Sequence, residues 1–505
     1  MCDDDYESKP FMNNQTLLTR PGAHWALAVG FVFLVPFMLA GIYEPSFFLI
    51  SLSAIILGIV AAPLLLTRKI DWFSPWNWIL YSVFIGVFVR AIYITFDIPD
   101  SDIISELFLR GRSKEFLLVP MLMFLIGMGM MTVGYLAGPT VSRKVSCKIF
   151  QSDVWAENRF WVVVIILQLL SFTGSYLYIK YNAGQILMDN ISSYRGLSTD
   201  LSEYKAYGYL RWLSNLSDIV SCLLFVKIVS ERRVFFKRLV AFLAFVIAFT
   251  TSSFFYFFVQ TRSGVVGIFL TMLVIIYYLR NKNKKFPLFK YAIIFLLILI
   301  SVKLMTWLRE GNRFDQFSLS GVNIIHLVDP VILSMTGIDV SKTAHIMAAI
   351  PEHLDYQYGE TLLRIIYLWI PRQIWPAKPV NVDTTVGMAV FGAETYGSGA
   401  VPPGLIAEMY WNFWIPGIIV GCFAVGYLSK IIYIQFKRYD TNRNVVILYV
   451  TFFMNLGVTF MGSSFSNTLI GFFTSFLPTF IVLHVITKRG KYMPPLRDFG
   501  SSGIE

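Results

Sequence analysis

The sequence predicts an all-α, polytopic transmembrane fold of about twelve spanning helices with one large, partly helical loop. Three observations predict it. Hydrophobic residues make up 56% of the 505 residues and charged residues only 14%, where a soluble domain carries about 25% charged residues. Apolar stretches of about 20 residues, enough to cross a hydrocarbon core at ~1.5 Å per residue, recur along the chain. The lysines and arginines gather in short clusters between those stretches, in alternate loops. Forty-five Phe and 12 Trp suit a chain that packs against lipid and sets rings at headgroup level. The net charge of +11 does not indicate nucleic acid as a partner, because the basic residues form no continuous face.

Residues 1–23 form an N-terminal tail. It opens on Asp3, Asp4, Asp5 and Glu7 and lacks the basic start of a secretory signal, so it reads as cytoplasmic. The region 24–308 holds nine expected spans, at 24–42, 46–66, 76–96, 116–137, 160–179, 208–229, 239–259, 264–280 and 289–308. Only a few residues around Glu44 separate the first two, which makes them a tight hairpin. Residues 309–403 form the large loop. Three more spans, at 404–429, 444–462 and 466–487, fill the region 404–487, and 488–505 is a C-terminal tail.

Basic pairs fix the expected orientation. Arg68-Lys69, Arg143-Lys144, Arg232-Arg233, Lys284-Lys285, Lys437-Arg438 and Lys488-Arg489 all fall on the side of the N-terminal tail. Both termini are therefore expected inside and the 309–403 loop outside. Outer segment 97–115 is acidic, and 180–207 is polar with several tyrosines. The large loop has helix-like stretches at 341–350 and 360–370. A loop of that length with its own helical pattern is usually functional. Of the four cysteines, Cys222 and Cys422 lie in apolar runs, Cys2 in the tail and Cys147 in a basic loop; no CxxC occurs. Neither a structural disulfide nor a cysteine metal site is expected.

Candidate chemistry concentrates outside. Arg195, Arg211, Arg262, Arg309, Arg313 and Arg372 stand on the side where positive charge is disfavoured. Four of them lie at or near helix ends: Arg211 in the first turn of span six, Arg262 opening span eight, Arg309 and Arg313 closing span nine. Guanidinium forks bind phosphate bidentately and stay charged; the competing reading of each is snorkelling to headgroups. The run from Ile370 to Pro379 holds three prolines and reads as a rigid strap, in which Trp375 either stacks on a sugar or anchors at the interface. After Pro402-Pro403-Gly404, Glu408 and Asn412 share one helix face. A carboxylate one turn into a span is a functional candidate unless it merely pairs an arginine.

His326, His345 and His353 lie in the large loop. Any of them offers an imidazole to take a hydroxyl proton, but their spacing fits no zinc motif. Asp100-Ser101-Asp102, beside Asp97 and Glu106, has the form of a DxD metal motif, yet the same acids suit the first turn of a surface helix. No glycine-rich phosphate loop, HExxH or GxSxG is present. Neither a metal nor a cofactor is expected.

Ser341-x-Thr343 with His345, then Tyr358-Gly359, IPRQIWPAKP and VPPGLIAEMYWNFWIPG, resemble in order and spacing the Wzy-type O-antigen polymerases, the oligosaccharide repeat-unit polymerases. Arg195-Gly196 and Thr261-Arg262-Ser263-Gly264 fit the same pattern. The motifs cover about a quarter of the chain. Trp414 departs from it, standing where the family commonly has Gly, and the Arg-x10-Gly spacing of some members is not met.

The resemblance implies a GT-C-like fold in a bacterial plasma membrane. It implies transfer of a growing glycan from polyprenyl diphosphate onto the next lipid-linked repeat unit, and a chain-length regulator of the Wzz type as partner. The residues expected to serve are Glu408 or His353 as proton acceptor, and Arg195, Arg262, Arg309, Arg313 and Arg372 on the diphosphate, with Arg309 and Arg313 also catalytic. Trp375, Tyr410 and Asn412 are expected on the sugar. An O-antigen ligase and a lipid-linked oligosaccharide flippase are the alternatives. The flippase predicts charges near the midplane of spans, where only Arg90 and Asp218 come close.

Overall fold

A computed structural model describes residues 41, 44, 46–65, 71–98, 100–141, 145, 147–183, 207–230, 235–259, 261–281, 296, 298–304, 332, 337–368, 370, 374–394, 399–454 and 461–488. Seven long apolar helices come first: α1 (Ser46–Leu64), α2 (Pro75–Thr95), α3 (Lys114–Ala137), α4 (Glu157–Tyr181), α5 (Gly208–Ser230), α6 (Arg238–Phe258) and α7 (Ser263–Arg280). The loop contributes α8 (Val340–Ala349) and α9 (Val382–Ala389). The chain then runs through α10 (Leu405–Arg438), the short α11 (Arg443–Phe452) and α12 (Phe465–Ile486).

Among the described residues nine helices, all of these but α8, α9 and α11, are long and apolar enough to cross a membrane. No strand is formed among them; the extended contact is a single bridge between Trp155 and Thr487. The chain is thus an all-helical polytopic membrane protein, the solution open to a backbone that must satisfy its own hydrogen bonds in hydrocarbon.

The nine match nine of the twelve expected spans. The expected 24–42 and 289–308 spans lie largely outside the described residues. Of the expected 444–462 span, the ten-residue α11 is described and runs on as π-helix at 453–454, and 455–460 lie outside the described residues. Helix α11 starts where Asn442 caps the backbone N–H groups of Asn444 and Val445 at 2.8 and 3.3 Å.

Two apolar cores hold the bundle. One gathers α4, α5, α7, α11 and α12 around Leu223, Val274, Val446 and Leu483. The other gathers α1, α2, α3 and α10 around Ile56, Val87, Met128 and Cys422. Within the second, α3 and α10 approach closely because glycines face backbone. A Cβ on Gly134 would lie 2.1 Å from the Phe423 carbonyl oxygen, and one on Gly426 2.0 Å from that of Met131.

The remaining apolar surface faces outward. On α4, Val162, Ile165, Ile166, Leu169 and Phe172 are exposed at helical spacing, as lipid contact requires. At one end of the bundle Asp71 accepts from Tyr278 and Tyr433 hydroxyls and pairs with Lys437 at 2.8 Å, joining the two cores. The loop helices α8 and α9 sit at the other end, here called the loop end. They pack on a third small core of Ile346, Leu354, Val386, Ala407 and Trp411.

Candidate functional site

The loop end is organised around buried polar groups. Asp339 caps α8, accepting from the Lys342 N–H at 3.1 Å and the Ser341 hydroxyl at 2.7 Å. Its other oxygen pairs at 2.7 Å with Arg90, which comes from the last third of α2, and both side chains are almost wholly inaccessible. Arg90 also donates to the Ile332 carbonyl. The Lys342 ammonium donates to the carbonyls of Gly337 and Gly462, at 3.1 and 3.2 Å.

Burial would push the Asp339 carboxyl up, but the Arg90 and Lys342 charges and the two capping bonds hold it below the ordinary carboxylate range. Burial pushes Lys342 down to about 8, partly opposed by Asp339. Asp383 on α9 is pushed up by burial; Ser464, the Asn467 amide at 2.8 Å and the Lys342 charge oppose the shift. Charged groups survive burial only when paired in this way.

A second set of bonds stitches the 355–364 turn to the start of α10. Two prolines precede Gly404, whose φ is +79° and whose Cβ would press at 3.0 Å on the Met461 carbonyl, so glycine is required there. Glu408 is fully buried in the first turn and accepts from the Phe465 N–H at 2.6 Å, tying α10 to α12. Asn412, one turn later and also fully buried, accepts from the Gly359 N–H at 2.9 Å. Its amide nitrogen donates to the Thr361 hydroxyl at 2.6 Å and the Glu408 carbonyl at 2.8 Å. Trp411 adds a bond from its indole to the Asp355 carbonyl at 2.8 Å.

Immediately afterwards α10 breaks, with Phe413 at φ −141°, ψ 19° and Trp414 at φ 56°, ψ −143°. Pro416 explains the place: it lacks an N–H and its ring clashes with the carbonyl four residues back, that of Asn412.

The sequence candidates divide as follows. Arg195, Arg309, Arg313, Arg372 and His326 lie outside the described residues, as does the Arg262 side chain. Arg211 donates to the Thr261 hydroxyl at 3.3 Å, beside the start of α7. His353 is exposed in the turn after α8, its N–H held by the Ala349 carbonyl at 2.7 Å. Trp375 is partly exposed and lies edge-on to Tyr367 at 5.7 Å. The Tyr410 hydroxyl accepts from the Trp414 indole at 3.1 Å.

Glu408, Asn412 and Tyr410 are thus brought together with the Tyr358-Gly359 turn, whereas His353 and Trp375 stand apart on the surface. Asn412 was expected on the sugar; its amide is enclosed and fully engaged inside the protein. His345 is buried, with Nε2 3.0 Å from the Phe108 carbonyl, and is pushed below its ordinary value by burial and by Arg110 and Arg112.

Asp100 caps the short helix Ser101–Ile104, accepting from the Asp102 N–H at 3.0 Å, and Asp97 pairs with Lys114 at 2.8 Å. Among the described residues no three His, Cys, Asp or Glu side chains converge as metal ligands. Beside this short helix an open groove of about 560 Å³ is lined by Asp102, Ser105, Glu106, Leu107, Arg110, Gly111 and Phe391.

The Arg90–Asp339–Lys342 cluster was missed as a site. A signal was present, since Asp339 stands three residues before Lys342 at a helix start, and Arg90 is a charge inside an apolar span. In the midst of α5, Asp218 accepts from Ser252 and Tyr256 hydroxyls of α6. Set against protein-family models, curated proteins and solved structures, the chain matches none.

Proposed function

We propose that the chain polymerises polyprenyl-diphosphate-linked oligosaccharide repeat units into surface polysaccharide, O-antigen or capsule, at the outer face of a bacterial plasma membrane. One observation carries this reading. Of the segments that resemble the polymerases, 358–359 and 401–417 are separated by more than forty residues, yet they are bonded directly through Asn412 and Gly359, and 341–345 precedes them. Segment 341–345 is tied through Lys342 to Gly462, before the start of α12, where Glu408 also bonds. In this reading the fold is GT-C-like with twelve spans, both termini are cytoplasmic, and a Wzz-type partner sets chain length.

The chemistry asks little of the protein. An acceptor hydroxyl attacks the anomeric carbon of the donor glycan; a carbon–oxygen bond forms, the bond to the diphosphate breaks, and polyprenyl diphosphate leaves with its electron pair. The enzyme stabilises that charge and removes one proton. Arg195, Arg262, Arg309, Arg313 and Arg372 hold the diphosphate. His353, open to solvent, takes the proton. Glu408 and Asn412, both enclosed, position the 355–364 turn and the start of α12. Trp375 and Tyr410 supply aromatic surface for sugar.

Deletion of the gene, followed by gel analysis of surface polysaccharide, tests the reading. A ladder that collapses to a single capped repeat unit, restored by the gene in trans, supports polymerisation. Loss of all capping transfers the assignment to a ligase or flippase, and an unchanged ladder overturns it.

A further inference from the structure

The segment between the 355–364 turn and α9 turns its apolar side chains away from the protein. Leu363 is 59% exposed, Ile366 72% and Ile374 76%, with Ile370 between them also exposed. Leu363 and Ile366 belong to the short helices Glu360–Leu363 and Ile365–Leu368, and Ile370 and Ile374 lie outside regular helix. In water such a run is costly, at about 25 cal/mol per Å² of apolar surface left uncovered.

The segment is also firmly held. Arg364 turns inward and donates to the Val380 carbonyl at 2.8 Å, Lys378 clips the Ile370 carbonyl at 2.8 Å, and Tyr367 meets Trp375 edge-on. These bonds close the strap on itself, so its apolar tips project from a fixed surface.

Both short helices pack on α12, at the end where Glu408 holds the Phe465 N–H. Farther along α12, Phe473, Leu477, Ile481 and Val485 are exposed at four-residue spacing, the face a spanning helix gives to lipid. The exposed face of the strap therefore continues a lipid-facing surface. Its aromatic residues, Tyr367 and Trp375, are the types that settle at the boundary between headgroups and chains.

We infer that the strap carrying Leu363, Ile366, Ile370, Ile374 and Trp375 is seated in the lipid leaflet on the loop side, with its apolar tips below the headgroups. The large loop is then a roof anchored in the membrane surface. This does not depend on the enzymatic reading.

Nitroxide labels on Ile366→Cys and Ile374→Cys test it, in full-length protein with Cys2 and Cys147 replaced by Ser, in phosphatidylethanolamine/phosphatidylglycerol liposomes. Collisions with oxygen and with a polar nickel chelate are compared with those at Ile481→Cys on α12 and Asp355→Cys in the exposed turn. Seating in lipid predicts oxygen-to-nickel ratios like that of Ile481→Cys and about tenfold above that of Asp355→Cys, because hydrocarbon excludes polar solutes. Ratios equal to that of Asp355→Cys overturn the proposal. Protection from both reagents overturns it too, since protein then covers the face.

Discussion

Arg90 and Asp339 meet at 2.7 Å with almost no access to solvent, so a charge from the last third of α2 closes the cap of a helix that belongs to the large loop. The pair fixes the loop to the bundle at a depth where neither charge is stable alone. Arg90→Ala or Asp339→Ala is expected to cost about 3 to 5 kcal/mol, because each leaves an uncompensated buried charge. Thermal unfolding in detergent checks this. Arg90→Met combined with Asp339→Leu should recover most of the loss; a double variant as unstable as the singles would contradict the pairing.

Asn412→Ala removes the acceptor of the Gly359 N–H and the donor to Thr361. Each polar group left buried without a partner costs about 1–3 kcal/mol. Limited proteolysis is expected to cut near the 355–364 turn in this variant and not in wild type. Asn412→Asp, which keeps the acceptor, should be cut more slowly than Asn412→Ala.

Trp414 holds φ at 56° and ψ at −143°, a region that glycine adopts freely. Trp414→Gly is expected to stabilise the protein by about 1 kcal/mol despite losing the bond to Tyr410, and Trp414→Val to destabilise it by a similar amount. Melting temperatures that fall equally for both variants would count against backbone strain at this position.

Lys342 titrates near 8 in the folded protein and at 10.5 when unperturbed. Between those values the unfolded chain binds the additional proton, so stability rises with pH across that window. Below pH 8 both states are protonated and the penalty is fully present. The wild type should therefore gain up to about 3 kcal/mol over Lys342→Met between pH 8 and 10.5. Denaturant unfolding of both proteins at several pH values measures the difference, and parallel curves would rule it out.

Arg262→Ala, Arg309→Ala and Arg313→Ala should each abolish or nearly abolish polymer while protein levels hold. A lost donor to a leaving diphosphate costs on the order of 3 kcal/mol, or about a hundredfold in rate. Lysine at the same positions should restore activity only in part, since it lacks the fork. Fully active alanine variants would reduce these arginines to headgroup contacts.

Much of the bundle was legible because apolar length is a direct physical requirement of crossing a bilayer. Nine helices match expected spans to within a few residues, save that α10 runs on to Arg438, past the expected end at 429. Its break was not expected in the 404–429 span, although Pro416 and the departure at Trp414 are its signals in the sequence. Helical pattern likewise marked 341–350 and 360–370, where α8 and two short helices form.

The site was legible only in parts. Glu408 and Asn412 could be placed on one helix face from spacing alone. That their partners are Phe465, Gly359 and Thr361 depends on how separate segments pack. Arg90 and Asp339 are 249 positions apart, and no local pattern couples them.

The break at Phe413 and Trp414 has a consequence for angular phase. A continuous α-helix transmits its rotation, each residue turning the next by about 100°. At the break that transmission stops. The azimuth of residues 405–412 is set by the bonds of Glu408 and Asn412 to the turn and to α12, and that of the segment beyond Pro416 by the Gly134–Gly426 crossing. Insertion or deletion of one residue at 414 would fall on this joint and be felt where Gly417 and Gly421 pack on Met409, whereas the same change beyond Gly421 would rotate the Gly426 side of the crossing out of contact with α3.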